Sequence, residues 1–412
     1  MKIRQQLAYG LLGAPLAMAA LPVYIHTPKL YGEEFGLGLA LTGILLLGSR
    51  AIDTLQDPWL GRLADFMQQR PGGWSLLIGM AAGALVMAYL ALFNPPALQP
   101  EILAAWFALS LILVYTAHSA LNITYLAWGA RASESSHERT RLVAFREGFA
   151  LFGVILASLL PLLLGGQPWL LFSLCFAALL IPAVLVLLRH APLPTLCRSP
   201  AQGILQPLRH LPFRRLAILF LLNGLAIAIA ATLSLFFIDD VLRLEAYSGA
   251  FLALYFLSGA CSLPLWLRLA RRWGKTLSWL AGSLIAVTGF VWAVQLGAGD
   301  LMPYAMICLL SGAALGADLA LPAAIAADII PPRDHGRAAS YFGIWSLISK
   351  LVLALAAGLA LPLLAAVGYV PGETTGLTAL ALCYAGIPCL IKLVTAGLLL
   401  GWRDSLEVNH AS

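Results

Sequence analysis

Apolar residues along this chain gather into blocks of roughly 20, separated by short polar connections. A helix of about 20 apolar residues crosses the hydrocarbon core of a bilayer, so each block reads as a membrane-spanning helix. The pattern predicts helices over 7–26, 36–62, 73–93, 103–130, 141–164 and 167–188, and then over 215–237, 247–268, 275–296, 302–329, 338–364 and 377–401. One connection is longer than the rest. Residues 189–214, rich in proline and arginine, read as a cytoplasmic linker between a six-helix half over 1–188 and a second over 215–412.

The two halves echo each other. Gly61-Arg62-Leu63-Ala64-Asp65, ending at Arg70, follows helix 2, and the basic run from Arg268 to Lys275 follows helix 8. His137-Glu138-Arg139 precedes helix 5 and Asp334-His335-Gly336-Arg337 precedes helix 11. Equivalent basic connections six helices apart indicate two repeats, an architecture that places a substrate site near the midplane.

Composition supports the bilayer as solvent. Of 412 residues, 61% are hydrophobic and 11% charged, against about 25% charged in soluble domains. The net charge of +6 raises the question of a nucleic-acid partner. The charges sit between apolar blocks, as in a membrane protein, and no nucleic-acid partner is expected. Nineteen Lys and Arg residues fall on the side of the N-terminus; Lys29 and Arg243 fall on the other; Arg50, Arg146, Lys350 and Lys392 fall inside helices. This asymmetry places both termini in the cytoplasm of a multi-pass inner-membrane protein. The apolar run after Lys2 and Arg4 extends to about Tyr24, which reads as an uncleaved first helix despite Ala17-Met18-Ala19. The six cysteines show no CxxC spacing, so neither a zinc site nor a disulfide framework is indicated.

Charges inside the helices are the informative residues, because each costs about 2.5–3.5 kcal/mol at the bilayer centre. Arg50, Asp53 and Asp57 share one face of helix 2, at i, i+3 and i+7. Two carboxylates one turn apart favour a bound cation or a shared proton. The alternative is a structural Arg50–Asp53 pair, with Asp57 supporting the adjacent loop. Arg146, beside Glu147 in helix 5, could fork onto a substrate oxygen or onto a helix-2 aspartate; the alternative is a gate residue at the cytosolic edge. Lys350 lies near the midplane and needs a carboxylate, for which Asp318 in helix 10 is a candidate. Lys392 in helix 12 reads as structural. His118 and Asn122 form a polar stripe on helix 4 that suits either a site or interhelical hydrogen bonds. Tyr125, Trp128, Tyr341 and Trp345 could stack on a ligand or anchor helix ends. Nucleotide-binding loops, nucleophile elbows and HExxH motifs are absent from the sequence. An enzyme is not expected, no cofactor beyond a coupling Na+ or H+ is called for, and transport energy must come from a gradient.

Arg50-Ala-Ile-Asp53-Thr-Leu-Gln-Asp57-Pro58, followed by Gly61 and Asp65, resembles the helix-2 signature of the glycoside–pentoside–hexuronide:cation symporters of the major facilitator superfamily. Glu138-Arg139-Thr140-Arg141-Leu142 with Arg146 resembles their loop 4–5 signature, and Ala327-Asp328-Ile329 with Lys350 resembles their helices 10 and 11. The resemblance covers essentially the whole chain, and it implies an all-α polytopic protein with the major facilitator fold, twelve helices in two six-helix halves. It implies Asp53 and Asp57 as coupling-cation carboxylates, joined by Asn122. It implies Arg146 lining a substrate cavity and Lys350 opposite the cation site from the other half; the reading of the residues adds Arg50, Asp318, His118, Tyr125 and Trp345 as cavity candidates. The motif Gly61, Asp65 and Arg70 is general to the superfamily. The sequence departs from the sugar carriers at Asn122, where they place an aspartate, and in helix 1, which has no acidic residue over 7–25. The expectation is a cation- or proton-coupled carrier of a small solute, working as a monomer by alternating access, with a solute other than a sugar. Carriage of lipids or amphiphiles, and a non-transporting sensor or assembly role, are the alternatives. Reporter fusions test the topology: the 238–246 loop is expected outside the cytoplasm, and a cytoplasmic signal there would reverse it.

Overall fold

The structure is a computed structural model, and it describes all residues except 28–29, 165–168, 196–202, 204, 367, 370–374 and 408–412. Lys29 and Cys197 therefore lie outside the described residues. The described residues are helical nearly throughout. Helix 1 comprises Ile3–Gly10 and Gly13–Ile25; helix 2 is Leu39–Met67, helix 3 Gly73–Phe93, helix 4 Pro100–Arg131, helix 5 Ser136–Leu164 and helix 6 Trp169–His190. Helix 7 is Leu211–Phe236, running on into a π-helical turn at Phe237–Leu242, and helix 8 is Ser248–Trp273. Helix 9 is Lys275–Phe290, helix 10 Leu301–Asp328 and helix 11 Ala338–Ala366. Helix 12 is built from Leu377–Ala381, a π-helical turn at Leu382–Gly386, and Ile387–Gly401.

These elements answer to the twelve blocks read from the sequence, with two local differences. Helix 1 breaks at Leu11–Leu12 between two glycines, where hydropathy alone gave one continuous run. Helix 2 continues five residues beyond the expected end at 62, because Ala64, Asp65 and Gln68 find partners there instead of entering water. Among the described residues, nine helices are long and apolar enough to cross a membrane. Their apolar surfaces point outward to an extent that water would not tolerate. In the most apolar window of helix 8 only 28% of residues are buried, against 61% in helix 10, so helix 10 is central to its bundle and helix 8 presents its side chains to lipid. Leu47, Met87 and Met302 are among the most exposed side chains, at 74%, 67% and 73%.

The chain divides into two compact units: Met1–Pro207 with Ile330–Leu347, and Leu208–Ile329 with Ile348–Ser412. The first turns of helix 11 thus group with the first six helices, and helix 2 supplies the reason, described below.

Within each unit, glycines let helix backbones touch. A Cβ on Gly13 would stand 2.4 Å from the Arg146 carbonyl, and one on Gly153 2.0 Å from the Ala14 carbonyl, so helices 1 and 5 cross backbone to backbone. In the second unit a Cβ on Gly312 would meet the Tyr255 carbonyl at 2.3 Å, and one on Gly316 the Ser262 hydroxyl at 2.2 Å, which joins helices 8 and 10. Lipid tails are as apolar as leucine, so close van der Waals packing of this kind holds membrane helices together. Tyr9 and Tyr125 add a reciprocal pair of hydrogen bonds: each hydroxyl donates to the other residue's carbonyl, at 3.1 and 2.5 Å.

The packing yields a direct test. Gly153→Ala is expected to destabilise the detergent-solubilised protein by about 1–3 kcal/mol or more. Gly79→Ala and Gly83→Ala, where a new Cβ meets nothing within 4 Å, are expected to leave it unchanged. Thermal unfolding of the three variants, followed by size-exclusion chromatography, checks the contrast.

Candidate functional site

In the first unit the polar groups converge between helices 2 and 4. Asp53, 8% exposed, accepts hydrogen bonds from Ser119 Oγ at 3.1 Å and Gln56 Nε2 at 3.4 Å. Gln56 in turn accepts from Thr116 Oγ1 at 2.9 Å. Asp57 is fully buried one turn further on. The Arg50 guanidinium lies 6.0 Å from the centroid of the Tyr115 ring on helix 4. Asn122 is half-buried, one turn beyond Ser119 on the same face. Together they form a patch of carboxylate, hydroxyl and amide oxygens inside an apolar bundle. Oxygen sets of this kind suit a hard cation or a proton.

The other residues singled out from the sequence take the following positions and partners. His118 Nε2 lies 3.1 Å from the Leu16 carbonyl and ties helix 4 to helix 1. Tyr125 is completely buried, its hydroxyl committed to Tyr9, so it welds the same two helices and does not line a cavity. Arg146 pairs with Glu147, its neighbour in sequence, and not with an aspartate of helix 2. Trp345 is buried in the first unit, and Lys350 is half-buried in the second. Before the apolar stretch of helix 5 begins, Glu138 accepts hydrogen bonds from the Met1 ammonium and the Ser133 hydroxyl, which hold its carboxyl below the ordinary glutamate range.

At the C-terminal end of helix 2 the superfamily motif has a plain physical role. Asp65 accepts from the backbone N–H groups of Ala339 at 2.9 Å and Ser340 at 2.8 Å, and from the Ser340 hydroxyl. Those N–H groups open helix 11 and have no partner within their own helix. A carboxylate there also complements the positive end of the helix dipole. Gly61 makes this approach possible, since a Cβ on it would stand 2.5 Å from the Ala339 carbonyl; Gly343, on the other side, would meet the Asp57 carbonyl at 2.7 Å. Arg70 stays outside this contact, 5.5 Å from the Phe66 ring.

The second unit holds a charge cluster whose pairing differs from the expectation. Asp318 pairs with Lys392 of helix 12, at 2.8 Å, and not with Lys350. The remaining atoms are satisfied as well. Lys392 Nζ donates to Asn223 Oδ1 at 2.8 Å, Asn223 Nδ2 donates to Asp318 Oδ1 at 3.0 Å, and Trp279 Nε1 donates to the same oxygen at 2.9 Å. Helices 7, 9, 10 and 12 are thus joined through one carboxylate. Asn223 and Trp279 were not found from the sequence. The available signal was Asn223 standing alone in the apolar run 216–231. At the C-terminal end of helix 10, Lys275 and Asp328 form a second pair, which gives Asp328 of the helix-10 motif a partner on helix 9.

Comparison with known proteins decides the family. The profile described as MFS/sugar transport protein matches residues 7–403. The chain belongs to this family. Among its relatives, the inner membrane symporter YicJ of Escherichia coli is 27% identical over 175 residues, 40% of this chain and 37% of that protein. The uncharacterized symporter sll1374 of Synechocystis is 29% identical over 168 residues, 39% of this chain and 30% of that protein. The aligned stretches thus span well under half the length of these relatives. Two solved structures share the fold over nearly the whole chain. A bacterial homologue of the iron transporter ferroportin superimposes with a TM-score of 0.76, covering 98% of this chain and 100% of the other at 17% identity. The E. coli fucose:proton symporter FucP gives 0.68, covering 95% and 98% at 15% identity. The fold is therefore that of the major facilitator superfamily.

Charge removal in the second unit separates pairing from burial. Lys392→Met leaves Asp318 as a buried carboxylate without its cation and is expected to lower stability by about 3–5 kcal/mol. Adding Asp318→Asn is expected to recover most of that loss. Denaturation of the purified single and double variants gives the comparison, and a double variant no more stable than the single one would contradict it.

Proposed function

We propose that the protein is a secondary transporter that couples a cation, Na+ or H+, to the movement of a small solute. The observation that carries this reading is Asp53, buried and held by the Ser119 hydroxyl, with Asp57 buried one turn away. Two carboxylates one turn apart in an apolar bundle favour a bound cation or a shared proton. A bound cation or proton therefore neutralises the site and draws helices 2 and 4 together. An empty site lets them separate, and a differential of this kind is what biases one transport state over another. The symporters among the family relatives support the reading, as does the inner-membrane placement of one of them.

Lys350 of the second unit is proposed to contribute a cationic group to solute binding, with both termini in the cytoplasm. The solute is proposed to be other than a sugar. Asn122 can accept a hydrogen bond but carries no charge, and helix 1 has no acidic side chain over 7–25. A pocket built to hold hydroxyls needs fixed acceptors, because unmet polar groups are costly.

The coupling is tested without knowledge of the solute. Replacing choline chloride by sodium chloride at constant ionic strength, or lowering pH, is expected to raise the unfolding temperature of the purified protein. A ligand that binds only the folded state stabilises it by RT ln(1 + [L]/Kd). Asp53→Asn is expected to fold normally and to abolish that response. A wild-type protein indifferent to both ions, or a variant that responds as the wild type does, would sink the reading. In proteoliposomes with imposed cation gradients, uptake is expected from a panel of organic acids and not from melibiose or lactose.

A further inference from the structure

The second unit holds a partly open cavity of about 350 Å³, whose lining residues all belong to that unit. Helices 7, 8, 9, 10 and 12 wall it. Ala226, Ala230 and Ala231 on helix 7 make the space, and Phe251, Phe290 and Ile307 are among the apolar side chains that face it. This volume and lining fall in the range of small-molecule sites, which are mostly apolar with a few placed polar groups. At one point the wall carries the Asp318–Lys392 pair.

The polar atoms on this wall can be accounted for one by one. An ammonium has three N–H donors, and Lys392 uses two, toward Asn223 and Asp318. One remains. A carboxylate offers about four acceptor positions, and Asp318 uses three, for Asn223, Trp279 and Lys392. One remains there too. Tyr255 lines the same cavity, and its hydroxyl has no hydrogen bond among the described residues. Tyr304 and Tyr384 share a single hydrogen bond at 2.8 Å, so one of their two hydroxyl hydrogens is unspent. Ser234 and Ser311 donate to the carbonyls of Ala231 and Ile307, in their own helix, and so offer only lone pairs. The unspent groups near the ion pair are thus an N–H, an O–H and one carboxylate lone pair.

A carboxylic acid head carries the matching set. Its carbonyl oxygen accepts from Lys392 and Tyr255, and its O–H donates to Asp318. The charge balance selects the protonated head. The Lys392–Asp318 pair is neutral as a unit, so a bare carboxylate would leave one uncompensated negative charge in an apolar volume, and burying such a charge is costly. The acid entering with its proton keeps the cavity neutral. The volume beyond the head, walled by alanine, phenylalanine and isoleucine, takes an unbranched apolar tail.

We propose that this cavity is a binding site for a weak-acid amphiphile, a carboxylic acid with an apolar tail, taken up together with its proton. The site lies within one unit and goes beyond the transport reading. Several groups face Asp318 across the cavity or beside it. They are Asn223 on helix 7, Tyr255 on helix 8, Trp279 on helix 9, Cys308 on its own helix, and Lys392 with Cys389 on helix 12. Lys392 is the one other charge among these described residues.

Radiolabelled decanoate, bound at equilibrium to the protein in lipid nanodiscs with protein-free nanodiscs subtracted, tests the proposal. One saturable site is expected, tightening as pH falls toward the range where the acid is protonated. Decanol, with the same tail and no acid, is expected to compete about tenfold less well, as is decanoate for Tyr255→Phe. Ala230→Leu, which fills the tail volume and leaves every polar group in place, is expected to abolish binding. So is the double variant Lys392→Met/Asp318→Asn, in which no charge is left unpaired. Absence of saturable binding to the wild type would overturn the proposal. So would equal competition by decanol together with full binding by the double variant, because the cavity would then hold any apolar chain, a bilayer lipid included. Undiminished binding by Ala230→Leu would place the ligand elsewhere and overturn it as well.

Discussion

The bilayer offers no water to a polar group, and each charge inside it must be answered by another part of the protein. The two units meet that constraint with different chemistry. The first sets a carboxylate among hydroxyls and amides, at Asp53, Ser119, Gln56 and Thr116. The second sets Asp318 against Lys392 and closes the arrangement with Asn223 and Trp279. The two charges of this site balance each other. The repeats that the sequence suggests thus differ in how they answer a buried carboxylate, one with hydroxyl and amide partners among its contacts and the other with a lysine.

The same constraint explains what holds the helices together. With no hydrophobic force between apolar surfaces in lipid, glycine contacts and interhelical hydrogen bonds do the joining. Helices 1 and 5 meet at Gly13 and Gly153, and helices 8 and 10 at Gly312 and Gly316. The joints that carry polar partners sit beside these close approaches. Gly61 lies one turn before Asp65 on helix 2, and Asp65 reaches helix 11 only because Gly61 allows the two backbones to meet.

Much of the fold was legible in the sequence, because hydropathy with a 20-residue period is imposed by the membrane and hardly depends on tertiary contacts. The family resemblance rested on the same kind of local signal, the spacing of Arg50, Asp53 and Asp57 on one helical face. Pairing was less legible. A lysine and an aspartate at matching depth fit several partners, and only packing decides between them. Asp318 went to Lys392 because Asn223 and Trp279 converge on the same carboxylate. Tyr125 read as a possible ligand contact because its aromatic ring suits one. Its hydroxyl was answered by a backbone carbonyl of helix 1, a partner that carries no sequence signal. Arg146 likewise took the carboxylate beside it, which the sequence showed without showing that it would suffice.

The cap on helix 11 has a consequence for how the chain is made. Asp65 and Ala339 are 274 residues apart. At about 5–20 residues per second, the ribosome needs roughly 14–55 seconds to deliver the second after the first. Throughout that interval helix 2 is already in the membrane with its capping carboxylate unanswered. Asp65 can wait because it lies at the end of helix 2, where water can solvate it until helix 11 arrives. A carboxylate at the depth of Asp318 could not wait so cheaply, and its lysine follows only 74 residues later. This long-range contact is thus placed where delay does least harm, and it closes only after the eight helices between helix 2 and helix 11 have been made.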